Sequence, residues 1–225
     1  MIKEMPFSLI FESLPAQIPI FPLEEILLLP RGRLPLNIFE PRYLAMTLAS
    51  LKADRLIGMV QPQEGKDGPG SDPDQPGLYN IGCAGRIVSF TETLDDRFEI
   101  TLEGVCRFEI AEELDITDGF RSIRPDWNKF RGDFTPQSGD VIDMERLEAC
   151  VRPFLKLQGI QAEWQIISTA SDENLITSLA MGFPFAANEK QALLEATSLG
   201  ERAQILISLI EMALIDTDNS ELTCQ

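Results

Sequence analysis

The chain has 225 residues, room for one large domain or two small ones, and is 44% hydrophobic, enough to fill a core rather than stay disordered. Its 19 Lys and Arg stand against 36 Asp and Glu, a net charge of −17, and neither half is basic, with 13 against 21 up to residue 130 and 6 against 15 beyond it. A general phosphate-backbone binder is excluded by that balance, and the lack of any histidine excludes Ser-His and Cys-His catalytic pairs, H-E-x-x-H zinc sites and histidine proton switches.

Met1–Gln17 has neither the basic start nor the apolar run of a signal peptide, and no stretch approaches the ~20 apolar residues of a membrane span. A soluble cytoplasmic protein is expected. Short apolar runs then follow at Ile18–Phe21, Ile26–Leu29, Leu34–Phe39 and Ile57–Val60, separated by Pro, Gly and charge, and read as strands. Pro41 suits a first helical position, and Leu44, Leu48 and Leu51 after it predict a helix with those leucines on its apolar face. Gln61–Gly77 holds eight Gly or Pro residues and five charges and reads as a mobile surface loop. Cys83–Thr93 and Phe98–Glu103 read as strands joined by a hairpin turn at Leu94-Asp95-Asp96-Arg97. Gly104 then predicts a bulge or bend before Val105–Ile110. Many short strands with such bends favour a small closed or partly open barrel.

After a polar break at Arg131–Gly139 the periodicity becomes helical. Asp140 is the expected cap of a helix carrying Met144, Leu147, Val151, Phe154 and Leu155 on one face, kinked near Pro153 and stopped by Gly159. Further helices are expected from Ser171 to Gly182, from Asn188, and from Ser198 with Glu201 as a capping box. The expected division is a β-rich subdomain over 1–130, a linker over 131–139 and a helical bundle over 140–225.

Catalytic and cofactor motifs are missing from the sequence. There is no G-x-x-x-x-G-K-[ST] phosphate loop and no G-x-S-x-G elbow. Cys83, Cys106, Cys150 and Cys224 are too far apart for a zinc knuckle or redox pair and are expected to be buried free thiols in a reducing cytosol. The six lysines sit in polar contexts, unsuited to a Ser–Lys dyad, and the neighbouring carboxylate pairs would point to opposite faces of a strand. No catalytic residue, metal site or cofactor is therefore expected. Arg121, Arg124, Lys129 and Arg131 interleave with Phe120, Trp127, Phe130 and Phe134, a single-stranded nucleic acid pattern, or else a last barrel strand with its aromatics inward. Arg131-Gly132-Asp133 matches an integrin-type tripeptide, a match that short sequences produce by chance.

Several blocks in order carry a resemblance. Ile18-Pro19-Ile20-Phe21-Pro22-Leu23, Leu29–Leu36, Ile38-Phe39-Glu40-Pro41-Arg42-Tyr43, Asp54–Val60, Leu78–Ile87, Gly104-Val105-Cys106-Arg107-Phe108 and Glu189–Glu195 together resemble the N-terminal domain of the ATP-dependent Lon proteases over about residues 15–214. The resemblance implies an α+β fold: a pseudo-barrel of the PUA-like type followed by a small helical bundle. It also implies a stand-alone recognition module, since no ATPase or Ser–Lys protease motif is present and no activity carries over. Its partners would be unfolded or apolar polypeptide segments, with a role as an adaptor in proteolysis or protein quality control toward a protease or chaperone. An RNA-binding barrel, disfavoured by the charge, and a small-molecule pocket stay open beside it.

The bundle is expected to dock on the barrel, and the groove between them to be the binding site, with Arg42, Tyr43, Phe183 and Phe185 as candidates. Phe39 and Tyr43 are expected to bury apolar area worth ~1.5–3 kcal/mol each, and Arg42 to satisfy backbone carbonyls or Glu40. The strong negative charge predicts a monomer or weak oligomer.

Overall fold

The computed structural model describes residues 9–63, 76–136, 140–159 and 170–223. Most of the Gly/Pro-rich segment Gln61–Gly77 and Cys224 lie outside them. The chain divides into two compact units, Met1–Thr135 and Pro136–Gln225.

The first unit is built on six strands, β1 (Ile18–Pro22), β2 (Arg33–Ile38), β3 (Leu56–Val60), β4 (Ile81–Glu92), β5 (Phe98–Thr117) and β6 (Phe120–Asp126), with helix α1 (Pro41–Lys52) between β2 and β3. The sheet order is β2-β5-β4-β3-β1-β6, and β6 returns to pair with β5. Five strands thus close a ring while β2 stays on the outside, the pseudo-barrel expected. Only β1–β3 is parallel among these pairs. Closure depends on the length of β5. Its first part pairs with β2 and β4, and its second part, from Glu109, turns to β6. The bend lies where the glycine predicts it. Gly85 pairs with Gly104 and Ala84 with Cys106, so Val105 has no partner and forms a bulge.

The ring is filled by Ile18, Ile20, Leu56, Val60, Ala84, Phe108 and Ile123. Phe108 is fully buried and meets Trp127 edge-on at 5.7 Å. The Gly82 backbone lies against it: a Cβ there would stand 2.6 Å from both the Met59 carbonyl oxygen and the Phe108 ring.

Ile26–Leu29 is not a strand. Leu27, Leu28 and Leu29 are buried, but the segment crosses β5 at Gly104 instead of joining the sheet. The Arg31 amide donates to the Gly104 carbonyl at 2.7 Å, and the Gly104 amide donates to the Gly32 carbonyl at 2.9 Å. An apolar run shows burial; the hydrogen bonds decide whether it is strand.

Helix α1 starts at Pro41 as expected but buries a different face. Tyr43, Met46, Thr47 and Ser50 face inward, whereas Leu48 is exposed and Leu44 and Leu51 are half-buried. The two hydroxyls can go inside because each donates to its own helix, Thr47 to the Tyr43 carbonyl at 2.8 Å and Ser50 to the Met46 carbonyl at 2.9 Å.

The second unit is all helical among the described residues: α2 (Met144–Leu157), α3 (Asp172–Gly182), α4 (Ala187–Glu195) and α5 (Leu199–Thr223). Leu147, Val151, Phe154 and Leu155 share the buried face of α2 as expected, with Cys150 added, while Met144 is exposed. The cap of α2 is Asp143, which accepts from the Arg146 amide at 3.0 Å. Asp140 instead accepts from the Gly200 amide at 2.7 Å and closes the first turn of α5. Ser198 caps α5 as expected, its Oγ accepting from the Glu201 amide at 3.1 Å, while the Glu201 carboxylate accepts from the Thr197 amide at 2.6 Å, one residue before Ser198. Ser171 caps α3 as expected, and α4 begins one residue before Asn188, with the Glu189 carboxylate accepting from the Ala186 amide.

Candidate functional site

The β4–β5 hairpin is closed by the turn the sequence predicts. The Thr93 amide donates to the Arg97 carbonyl at 2.9 Å, and Asp96 adopts a positive φ of 59°. Three apolar side chains stand partly or fully exposed at this end of the sheet. Leu94, at the tip, is fully exposed. Phe39, directly after β2, is 61% exposed, with the Arg97 guanidinium 5.8 Å from its ring centre. Phe90 is 38% exposed and packs against Phe98 at 5.0 Å. Arg97 and Phe98 are neighbours on an extended strand and point to opposite faces, so Phe39 and Phe90 flank the hairpin end from its two sides. The expected burial of Phe39 is thus overturned. It lies past Ile38, the last residue of β2 paired to β5, and most of its surface stays exposed beside the Arg97 guanidinium.

The four residues expected to line a groove fall into two local settings. Arg42 and Tyr43 open α1. The Arg42 guanidinium binds Glu40 at 3.0 Å and stacks 4.7 Å above the Tyr43 ring. Tyr43 is buried against Phe21, with ring centres 4.1 Å apart. Phe183 and Phe185 lie in the second unit, both buried, with centres 5.9 Å apart and with Phe154 4.8 Å from Phe183. These contacts assign Tyr43, Phe183 and Phe185 to packing in their own units.

The basic and aromatic segment is likewise committed. Arg121 pairs with Glu113, Arg124 with Glu112 and Arg131 with Glu12. Phe120 and Phe130 are buried, and the Trp127 indole donates to the Pro15 carbonyl at 3.0 Å. Arg131–Phe134, expected to begin the linker, completes a 3-10 turn of the first unit that runs from Asn128. Asp133 of the Arg-Gly-Asp tripeptide is the centre of that turn's anchorage. Its Oδ2 accepts from the Arg107 amide at 2.9 Å and from Arg107 Nε at 3.0 Å, and its Oδ1 accepts from Arg107 Nη2 at 2.8 Å. The two side chains are 4% and 2% exposed. Arg31 donates to the Asp133 carbonyl, and the Arg107 guanidinium lies 4.6 Å over Phe130.

Cys83, Cys106 and Cys150 are buried thiols outside any disulfide. Burial, reinforced by the charge of Asp133, pushes the Cys106 thiol up to about 12, and burial pushes Cys150 up to about 11. Both are thus poor nucleophiles at neutral pH. Among the described residues no group of His, Cys, Asp or Glu could hold a metal ion, and no helix is long and apolar enough to cross a membrane.

The first unit also has a pocket of about 310 Å³ beneath the C-terminal end of α1, against β1 and β6. Nothing in the sequence signals it, because its wall combines residues from three separate segments, 15–19, 49–56 and 120–122.

Residues 17–212 match the family of ATP-dependent protease La (LON) substrate-binding domains. The chain is 23% identical over 200 residues to Lon protease 2 of Myxococcus xanthus and 29% identical over 201 residues to a Lon protease of Parabacteroides distasonis. Those matches cover 88% and 86% of this chain but 24% and 23% of the relatives, so the chain spans about a quarter of their length. Two solved structures share the fold. A Lon N-terminal domain protein from Xanthomonas campestris aligns with a TM-score of 0.59 at 19% identity, over 85% of this chain and 97% of its own. The N-terminal domain of a Mycobacterium avium complex Lon protease aligns with a TM-score of 0.60 at 14% identity, over 87% of this chain and 98% of its own.

Proposed function

We propose a polypeptide-recognition function for this chain, which belongs to the ATP-dependent protease La (LON) substrate-binding domain family. It takes up apolar segments of unfolded polypeptide, does not itself cleave them, and acts as an adaptor that presents them to a protease or chaperone. The observation that carries this reading is the exposed end of the β4–β5 hairpin. Phe39, Phe90 and Leu94 offer aromatic and aliphatic surface on a frame held by β2, β4 and β5. Aromatic side chains are enriched at protein interfaces. The RNA reading is weakened, because Arg121, Arg124 and Arg131 are ion-paired and Phe120 and Phe130 are buried.

The test is anisotropy of a labelled, permanently unfolded apolar peptide with the full chain, at low and high salt. The double variant Phe39→Ser/Leu94→Ser is expected to weaken binding at least about tenfold, since truncating central anchors costs ~2 kcal/mol or more. Its melting temperature should stay that of the parent, because both side chains face solvent. Binding should also survive high salt, which apolar contacts tolerate and phosphate contacts do not. Parental affinity in the double variant would remove the hairpin end from the account.

A further inference from the structure

The pocket under the end of α1 has a chemistry of its own. Its walls are apolar, with Ile18, Pro19, Leu56 and Phe120 among them. Two of its polar side chains are acceptors. Ser50, 3% exposed, lines it, and its proton is already donated to the Met46 carbonyl, so its oxygen can only accept. Asp54, an exposed residue, is the acidic residue of the lining. The C-terminal end of α1, which supplies Ala49 and Ser50 to the lining, carries the negative end of the helix dipole. Lys52 and Arg55, on either side of Asp54 in sequence, do not line the cavity. Gln17 and Ser122, also in the wall, can accept as well as donate.

We propose that this pocket binds an ammonium or guanidinium group carried on an apolar stem. The stem lies against the apolar wall, and the cation donates to Asp54, to Ser50 Oγ and toward the end of α1. The volume, at the lower end of the ~300–1,000 Å³ of ligand pockets, suits one such group. A lysine or arginine side chain of a polypeptide and a free organic amine share this chemistry. The inference is independent of the hairpin end and of what binds there.

The test uses three probes of one shape, 2-phenylethylamine, 2-phenylethanol and phenylacetate, titrated into the full chain and followed by NMR. The amine is expected to bind about 5–10-fold more tightly than the alcohol, as charged hydrogen bonds do, and phenylacetate not to bind. Asp54→Asn should abolish the preference for amine over alcohol. Ala53→Phe, at an exposed position on the pocket wall, should block all three probes without lowering the melting temperature. A short Gly-Lys-Gly peptide that displaces the amine assigns the cation to polypeptide side chains; failure to displace it assigns a free amine, and both outcomes uphold the site. Equal binding of amine and alcohol, an unchanged preference in Asp54→Asn, or no binding of the amine overturns it.

Discussion

Asp133→Asn is expected to cost about 3–5 kcal/mol of stability, the usual penalty for breaking a buried ion pair from one side. The substitution keeps the shape and removes the charge. Arg107 is then left buried opposite a neutral amide, and its side chain is only 4% exposed. The loss is not confined to one contact, because the Asp133 carboxylate also accepts from the Arg107 amide and anchors the turn that covers this part of β5. Arg107→Met should cost a similar amount, by stranding the carboxylate instead. The double variant Arg107→Met/Asp133→Leu should recover only part of the loss: an apolar pair avoids both charge-desolvation penalties, but the buried Arg107 amide loses its acceptor. Urea unfolding of the full chain measures all three. Single variants within 1 kcal/mol of the parent would mean that the pair does not hold the turn.

Gly104→Ala should be comparably damaging, at about 3 kcal/mol or more, the upper range for overpacking. A Cβ at this position would lie 2.0 Å from the Leu29 carbonyl oxygen and 2.8 Å from the Leu29 carbonyl carbon. Those are backbone atoms, so no rotamer change relieves the clash. The crossing segment must move, taking buried Leu27, Leu28 and Leu29 with it. Gly132→Ala is the control, as a Cβ there meets nothing within 4 Å. Its stability should match the parent within ~0.5 kcal/mol. If the two variants melt together, the close approach of Leu29 to β5 is not a constraint.

The strands were legible where one face is buried and the other wet. Phe98–Glu103 alternates without a fault, and the structure pairs it with β2 and β4 across its length. The bulge after Gly104 was legible because a lone glycine interrupts that alternation. The buried face of α1 was not, since Thr47 and Ser50 look polar in the sequence and become core residues by bonding to their own helix. The role of Asp140 was missed for a different reason. Asp140 and Asp143 both precede α2, and only the fold shows that Asp140 reaches Gly200, sixty residues on. The same holds for Asp133, whose partner lies 26 residues earlier in another element.

The candidate site was the least legible part. Phe39 reads as core by residue type, and its exposure follows only from where β2 stops pairing. Leu94 and Phe90 read as parts of a hairpin and the structure places them there, but a hairpin sequence does not say that Phe39 stands beside its turn. The pocket under α1 requires the closure of β1, β6 and the helix end around one space.

The claim that the β4–β5 hairpin end receives polypeptide is tested most directly by hydrogen exchange of the full chain, with and without a saturating unfolded apolar peptide. The account predicts slowed exchange at the amides of Leu94, Asp95 and Asp96 and beside Phe39, with the amides around Phe108 unchanged. Protection confined to other surfaces, with the 93–97 turn exchanging as in the free protein, would contradict it.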